Sequence, residues 1–300
     1  MGCLVNNMIN DKIISCAKTV SEKLEKYLDF KDADYKNLTD SMRYSVLGGG
    51  KRIRPYLAYA FCRALGGESD KVWPLACAME MTHCASLIHD DLPVMDNDDL
   101  RRGRPTNHKV YGEATALLAA DALFIYPYEV IANARELDDL ARIQAIRILA
   151  SNAGPCGMVG GQQIDMDSEG KNPSIDVLKK LQSLKTGALI YASCALGCVA
   201  AGKYNDEDIM KITRLYAADI GLAFQIRDDI LDVTSTAEVL GKDIGSDAEN
   251  EKTTFMTYMS VDEAQKLIDD LTNEAIAAVE RIDTFGDLKE LAIYLAGRNN

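Results

Sequence analysis

Three hundred residues with 47% apolar content can bury a sizeable core, and 46 acidic against 33 basic residues leave a net charge of −13. That charge argues against nonspecific nucleic-acid binding, which needs a basic face, so any anionic ligand must be met by local cations or metal ions. Only 7 prolines interrupt a chain whose apolar residues are mostly Ala, Leu, Ile and Met, a composition that favours an all-α protein.

In chain order, helical periodicity is visible over 7–30, 55–65, 72–91, 115–134, 138–151, 206–232 and 262–282. Breaks fall at Leu47-Gly48-Gly49-Gly50, Gly66-Gly67, Gly154-Pro155, 170–173 and 202–205. Asn172-Pro173-Ser174-Ile175-Asp176 reads as a helix start. The nearly apolar run 188–201 is too short to cross a bilayer and reads as a buried helix of small residues. The first ten residues carry no signal-peptide pattern, and Asn6 breaks the myristoylation pattern begun by Met1-Gly2-Cys3. The 8 cysteines form no Cys-x-x-Cys pair, which gives no zinc spacing and fits a reducing compartment. The expectation is a single all-helical domain over 1–300, cytoplasmic and without membrane insertion.

Two stretches, 92–112 and 233–254, are charged or polar and read as long loops. Such loops in a compact helical domain are usually functional or mobile. Each follows closely on a pair of adjacent aspartates. The first motif is Asp90-Asp91-Leu92-Pro93-Val94-Met95-Asp96. Pro93 stops or kinks the preceding helix, so Asp90 and Asp91 project from a C-terminal end whose dipole disfavours anions unless a cation joins them. Calcium-loop spacing is absent, because Arg101 and Asn107 stand where Gly and Glu are required. The second motif is Phe224-Gln225-Ile226-Arg227-Asp228-Asp229-Ile230-Leu231-Asp232, in which Asp228 and Asp232 share a helix face. Either motif alone reads equally as acidic surface. If their helices face each other, the carboxylates converge, and oxygen-only ligation then favours magnesium bridging to phosphate.

The basic residues fit an anionic ligand. Gly48-Gly49-Gly50-Lys51-Arg52-Ile53-Arg54-Pro55 leads a glycine turn into a helix start, where unbonded N–H groups and cations attract anions. It lacks the pattern of a nucleotide P-loop. His83 lies two turns before Asp90 on the same helix face, whereas His89 and His108 read as structural. Lys185-Thr186-Gly187 opens the small-residue helix, with Thr186 either a diphosphate ligand or only an N-cap. Lys242 and Lys252 lie on a segment that could close over a pocket.

Together the stretches GGGKRIRP, HDDLPVMDNDDLRRGRPTNH, KTG and FQIRDDILD, spread over 42–252, resemble the trans-isoprenyl diphosphate synthases, in particular the short-chain bacterial farnesyl/geranylgeranyl type. The resemblance implies a single-domain isoprenoid-synthase helical bundle with a central active-site cavity, and a homodimer. It implies that Asp90, Asp91 and Asp96 bind two magnesium ions and Asp228, helped by Asp229 and Asp232, a third, with manganese an alternative. Lys51, Arg54, His83 and Arg102 would hold isopentenyl diphosphate. Arg101, Lys185, Thr186, Gln225, Lys242 and Lys252 would hold the allylic diphosphate, and Asp90, Asp91, Asp96, Asp228 and Lys185 form the catalytic set. The product would be farnesyl or geranylgeranyl diphosphate.

Three departures stand out. Ala85 stands five residues before the first aspartate, where bacterial farnesyl synthases often carry an aromatic, and Ser86 follows it; both lie roughly 6–8 Å below the first motif along a helix. If they line a tunnel floor, a twenty-carbon product forms at least as readily as a fifteen-carbon one. Thr253-Thr254-Phe255-Met256 replaces a usual Tyr-Pro, and the tail Arg298-Asn299-Asn300 is less basic than in relatives. The rival readings are a class I terpene cyclase, a non-catalytic helical subunit of a prenyl synthase, and a helical scaffold. The first needs no second diphosphate site, and the second should have lost an aspartate motif.

Overall fold

The apolar repeats fold as helices α1 (Gly2–Tyr27), α2 (Lys36–Val46), α3 (Ile53–Ala64), α4 (Ser69–Asp90), α5 (Asn107–Tyr111), α6 (Glu113–Ala132), α7 (Asp139–Ala153), α8 (Met158–Ser168), α9 (Ile175–Lys185), α10 (Gly187–Ala200), α11 (Glu207–Thr234), α12 (Val261–Val279) and α13 (Asp287–Ala296). This is a computed structural model, and it describes residues 2–31, 34–234 and 253–297, with 2–7 as backbone only. Two short strands, β1 (Leu100–Arg101) and β2 (Arg104–Pro105), pair antiparallel.

Helix α10 is the centre of the bundle, packed against α3, α4, α7 and α11. Its small residues permit this position. A Cβ on Gly197 would come 2.4 Å from the Ala58 carbonyl oxygen of α3, so the two backbones touch where no larger residue fits. Around it, α4 lies between α3 and α6, and α11 lies against α12. The core is one large cluster reaching from Ile9 to Leu295, with a smaller one where α11 meets α12.

Local signals set several boundaries where the sequence places them. Asp138 caps α7 by accepting from the Ala141 N–H at 2.8 Å, and Ser174 caps α9 through the Val177 N–H at 3.4 Å. Other expectations need correction. The stretch 92–112 holds the hairpin and α5. The second aspartate motif falls, as the period over 206–232 implies, in the last described turns of α11. Lys185 is the last residue of α9, not the start of the next helix, and Thr186 forms the 40° bend between α9 and α10 without capping through its side chain.

Helix α6, at 20 residues, is by length and composition alone apolar enough to cross a membrane. Its inner residues Ala116, Ala119, Ala120, Leu123 and Ile131 are buried, whereas Leu117, Leu118 and Ile125 are exposed.

Candidate active site

Both aspartate motifs border one cavity of about 1250 Å³. This exceeds the ~300–1,000 Å³ usual for a single small ligand and leaves room for two substrates. Asp90 and Asp96 reach it from the end of α4 and the turn beyond, and Asp228 and Asp229 reach it from α11. Lys51, Arg54, His83, Arg101, Arg102, Lys185, Thr186, Gln225 and Ser86 line the same space. Residues distant in sequence therefore border one cavity.

The turn after α4 is built by its own backbone. Asp96 N–H donates to the Asp90 carbonyl at 2.9 Å, and Asn97 N–H donates to Leu92 at 3.1 Å. These bonds fold the third aspartate back toward the first. On α11, Gln225 donates to Asp229 Oδ1 at 2.9 Å, and the backbone N–H of Phe255 donates to its Oδ2 at 2.8 Å. The Thr-Thr-Phe-Met departure thus serves to dock that segment onto the second motif, with Phe255 fully buried and Thr253 and Thr254 on the cavity wall.

Three expected residues are placed differently, and two lie outside the described residues. Asp91 is 4% exposed and absent from the cavity wall. Arg101 takes up its carboxylate, Nε donating to Oδ1 at 2.8 Å, while Nη2 also donates to Asp98 at 2.8 Å. Burial raises the Asp91 pKa to about 6 despite the opposing pull of Arg101. Asp232 is 7% exposed and does not border the cavity either. Ala85 is wholly buried in the core, so of the two small residues only Ser86 is on the wall. Lys242 and Lys252 lie outside the described residues, as does the tail from Arg298.

On the basic side, Arg54 and His83 are both partly buried, and Arg54 Nη1 donates to His83 Nε2 across 3.3 Å. Burial, then the charges of Arg54, Arg102, Arg52 and Arg101, push the His83 pKa well below 6.5, so the ring is neutral and can accept. Arg102 is exposed and donates to the Gly49 carbonyl. Gly49 and Gly50 have φ of 99° and 116°, which favour glycine, and a Cβ on Gly50 would lie 2.5 Å from the Arg102 guanidinium carbon.

Sequence reasoning missed a third polar group, Gln162, Gln163 and Asp165 of α8, all on the cavity wall. Asp165 pairs with Lys185 at 2.5 Å. A Cβ on Gly161 would lie 2.2 Å from the Lys185 backbone nitrogen, so the glycine is what lets α8 lie against Lys185. The signal was Gly160-Gly161-Gln162-Gln163-Ile164-Asp165, polar residues set beside a glycine pair. His89, read as structural, also lines the cavity, its ring 5.3 Å from that of Phe124. His108 is buried, 3.2 Å from the Thr106 hydroxyl.

The donor set suits a hard cation. Among the described residues no three Asp, Glu, His or Cys side chains are grouped closely enough to ligate one ion together. Magnesium fits such a site, since it usually takes one or two carboxylates and completes its shell with water and substrate phosphate.

The sequence pattern of the family described as "Polyprenyl synthetase" matches residues 35–287. The chain is 44% identical over 264 residues to the geranylgeranyl diphosphate synthase of Cyanophora paradoxa, covering 87% of each chain. It is 39% identical over 292 residues to the farnesyl diphosphate synthase of Escherichia coli strain K12, covering 95% of this chain and 97% of the relative. The crystal structure of an FPP/GFPP synthase from Zymomonas mobilis superposes with a TM-score of 0.84 at 32% identity, covering 98% of both chains.

Proposed function

The chain belongs to the polyprenyl synthetase family, and from that premise we propose that it condenses isopentenyl diphosphate with an allylic diphosphate (dimethylallyl, geranyl or farnesyl), releasing diphosphate. One observation carries the reading: carboxylates of α4 and α11 and cations of the glycine turn, the hairpin and α9 border a single cavity.

In the proposed reaction the allylic C–O bond breaks and its electron pair leaves with diphosphate. The allylic carbon then bonds to the isopentenyl double bond, and the proton lost from the resulting cation passes to the released diphosphate. Asp90, Asp96 and Asp228 would hold magnesium, three ions being expected, which would supply charge neutralisation to the leaving group. Asp91, as placed, orients Arg101 toward the same diphosphate, and Asp229 fixes Gln225. Lys185, Thr186, Gln225 and Arg101 hold the allylic diphosphate, and preorganised donors of this kind stabilise charge where it develops. Lys51, Arg54, His83 and Arg102 hold isopentenyl diphosphate. Leu57, Met158, Leu189, Ile190, Ile220 and Phe224 give the cavity apolar wall, which excludes water from the cation.

The finer features belong to the same proposal. The product is geranylgeranyl diphosphate at least as readily as farnesyl diphosphate, because the α4 wall carries the small Ser86. The enzyme is a homodimer, a reading supported by the exposed apolar residues Leu117, Leu118 and Ile125 of α6 and Leu140 and Ile143 of α7. Incubation with isopentenyl diphosphate, Mg²⁺ and each allylic primer from C5 to C15 tests the function. Elongated diphosphates are expected; cyclised hydrocarbons, or no product with any primer, overturn it.

A further inference from the structure

Among the described residues, three non-glycines have a left-handed backbone: Arg52 (φ 53°), Asn97 (φ 54°) and Arg102 (φ 55°). This conformation is uncommon for a long side chain and persists where the surroundings hold it, often at functional sites. Two of the three are arginines attached to one turn. Arg102 donates to the Gly49 carbonyl from outside, and Arg52 stands inside the sequence Lys51-Arg52-Ile53-Arg54.

Arg52 and its partner Glu80 border the cavity like the cations beside them, but the Arg52 guanidinium is already taken up by the protein. Arg52 is 3% exposed, its Nη1 donating to Glu80 Oε1 at 2.6 Å and its Nη2 to the Val46 carbonyl, at the end of α2, at 2.5 Å. Glu80 is itself 2% exposed and sits on α4 one turn before His83, the acceptor for Arg54. The turn is therefore pinned to one helix face at two points, Arg52 to position 80 and Arg54 to position 83. A buried ion pair is weak evidence for stability, since apolar pairs of similar size often serve as well, while removing one partner alone is costly. The pair calls for another role.

We propose that Arg52 is a positioning residue for the isopentenyl diphosphate site: its pair with Glu80 sets the register of the Lys51–Arg54 turn on α4 and so aims Lys51 and Arg54 at one anion. This rests on the assignment of that diphosphate to Lys51, Arg54 and His83. The left-handed backbone at Arg52 is what this register demands.

The test uses the full chain with Arg52→Met and Glu80→Met combined, which avoids a lone buried charge, and Arg52→Lys, which keeps the charge but not the fork to both acceptors. Three quantities are measured: melting temperature, steady-state KM for each substrate, and metal-free affinity for isopentenyl diphosphate by titration calorimetry. The double variant should melt near the wild type, yet show at least a tenfold rise in KM and Kd for isopentenyl diphosphate. Its kcat and allylic KM should stay within about threefold, and Arg52→Lys should fall between. Unchanged isopentenyl diphosphate affinity in the double variant overturns the inference, whatever happens to stability. A wild-type protein that binds isopentenyl diphosphate but elongates nothing would instead overturn the proposed reaction and leave the positioning role standing.

Discussion

Arg54 Nη1 donates to His83 Nε2 across 3.3 Å, so a guanidinium and a neutral imidazole share one wall of the cavity. Burial and four nearby arginines hold the His83 pKa well below 6.5. The sign follows directly: a depressed histidine is neutral in both folded and unfolded states above pH 6.5. Its contribution is complete there and is lost as pH falls toward the lower folded value. Between pH 6.5 and 8 the wild-type KM for isopentenyl diphosphate should show no histidine ionisation. His83→Gln, whose amide oxygen can accept from Arg54, should keep that flat profile. An inflection near pH 6.5 in the wild type that vanishes in His83→Gln would contradict the neutral-acceptor role.

Lys185 is fixed twice, by its ion pair with Asp165 at 2.5 Å and by the close approach of Gly161 to its backbone. Lys185→Ala should lower kcat about 100-fold, as loss of one preorganised donor commonly does. Asp165→Asn keeps the ammonium but loosens it and should cost less. Single-turnover rates decide this, and an Asp165→Asn defect as deep as that of Lys185→Ala would show that Asp165 itself contacts substrate.

Ser86 spends its hydroxyl on the His83 carbonyl at 2.8 Å and presents a small surface to the cavity, whereas Ala85 is wholly buried. Ser86→Phe should shorten the main product by one five-carbon unit. Ala85→Tyr must overpack the core, at a cost of roughly 1–3 kcal/mol, and should lower the melting temperature more while changing product length less. Product analysis by chain length, paired with thermal melts, distinguishes the two. A shift caused by Ala85→Tyr alone would move the tail path away from the Ser86 wall.

Much of this was legible from residue order. The helical period of 72–91 ran to the aspartates, and α4 ends at Asp90. The cations of the glycine turn and of the hairpin border the same cavity as both motifs. What stayed hidden depended on tertiary return. Nothing local to Asp91 says that Arg101 folds back on the hairpin to occupy its carboxylate, and nothing local to Arg52 says that its guanidinium is buried against Glu80 and the Val46 carbonyl. Helix α8 was missed because its glycines and glutamines blur the apolar period, although those residues let it lie against Lys185. Asp229 found a partner in the Phe255 backbone N–H, a contact that no side-chain pattern announces.

A double-mutant cycle on Asp90→Ala and Asp228→Ala, read as the single-turnover rate of allylic diphosphate consumption, probes the joint cavity most directly. Each single variant should lose about 100-fold or more, and the double should lose far less than the product of the two, because both act on one leaving group. Near-normal rates in either single variant, or losses that multiply as if independent, would contradict a shared site.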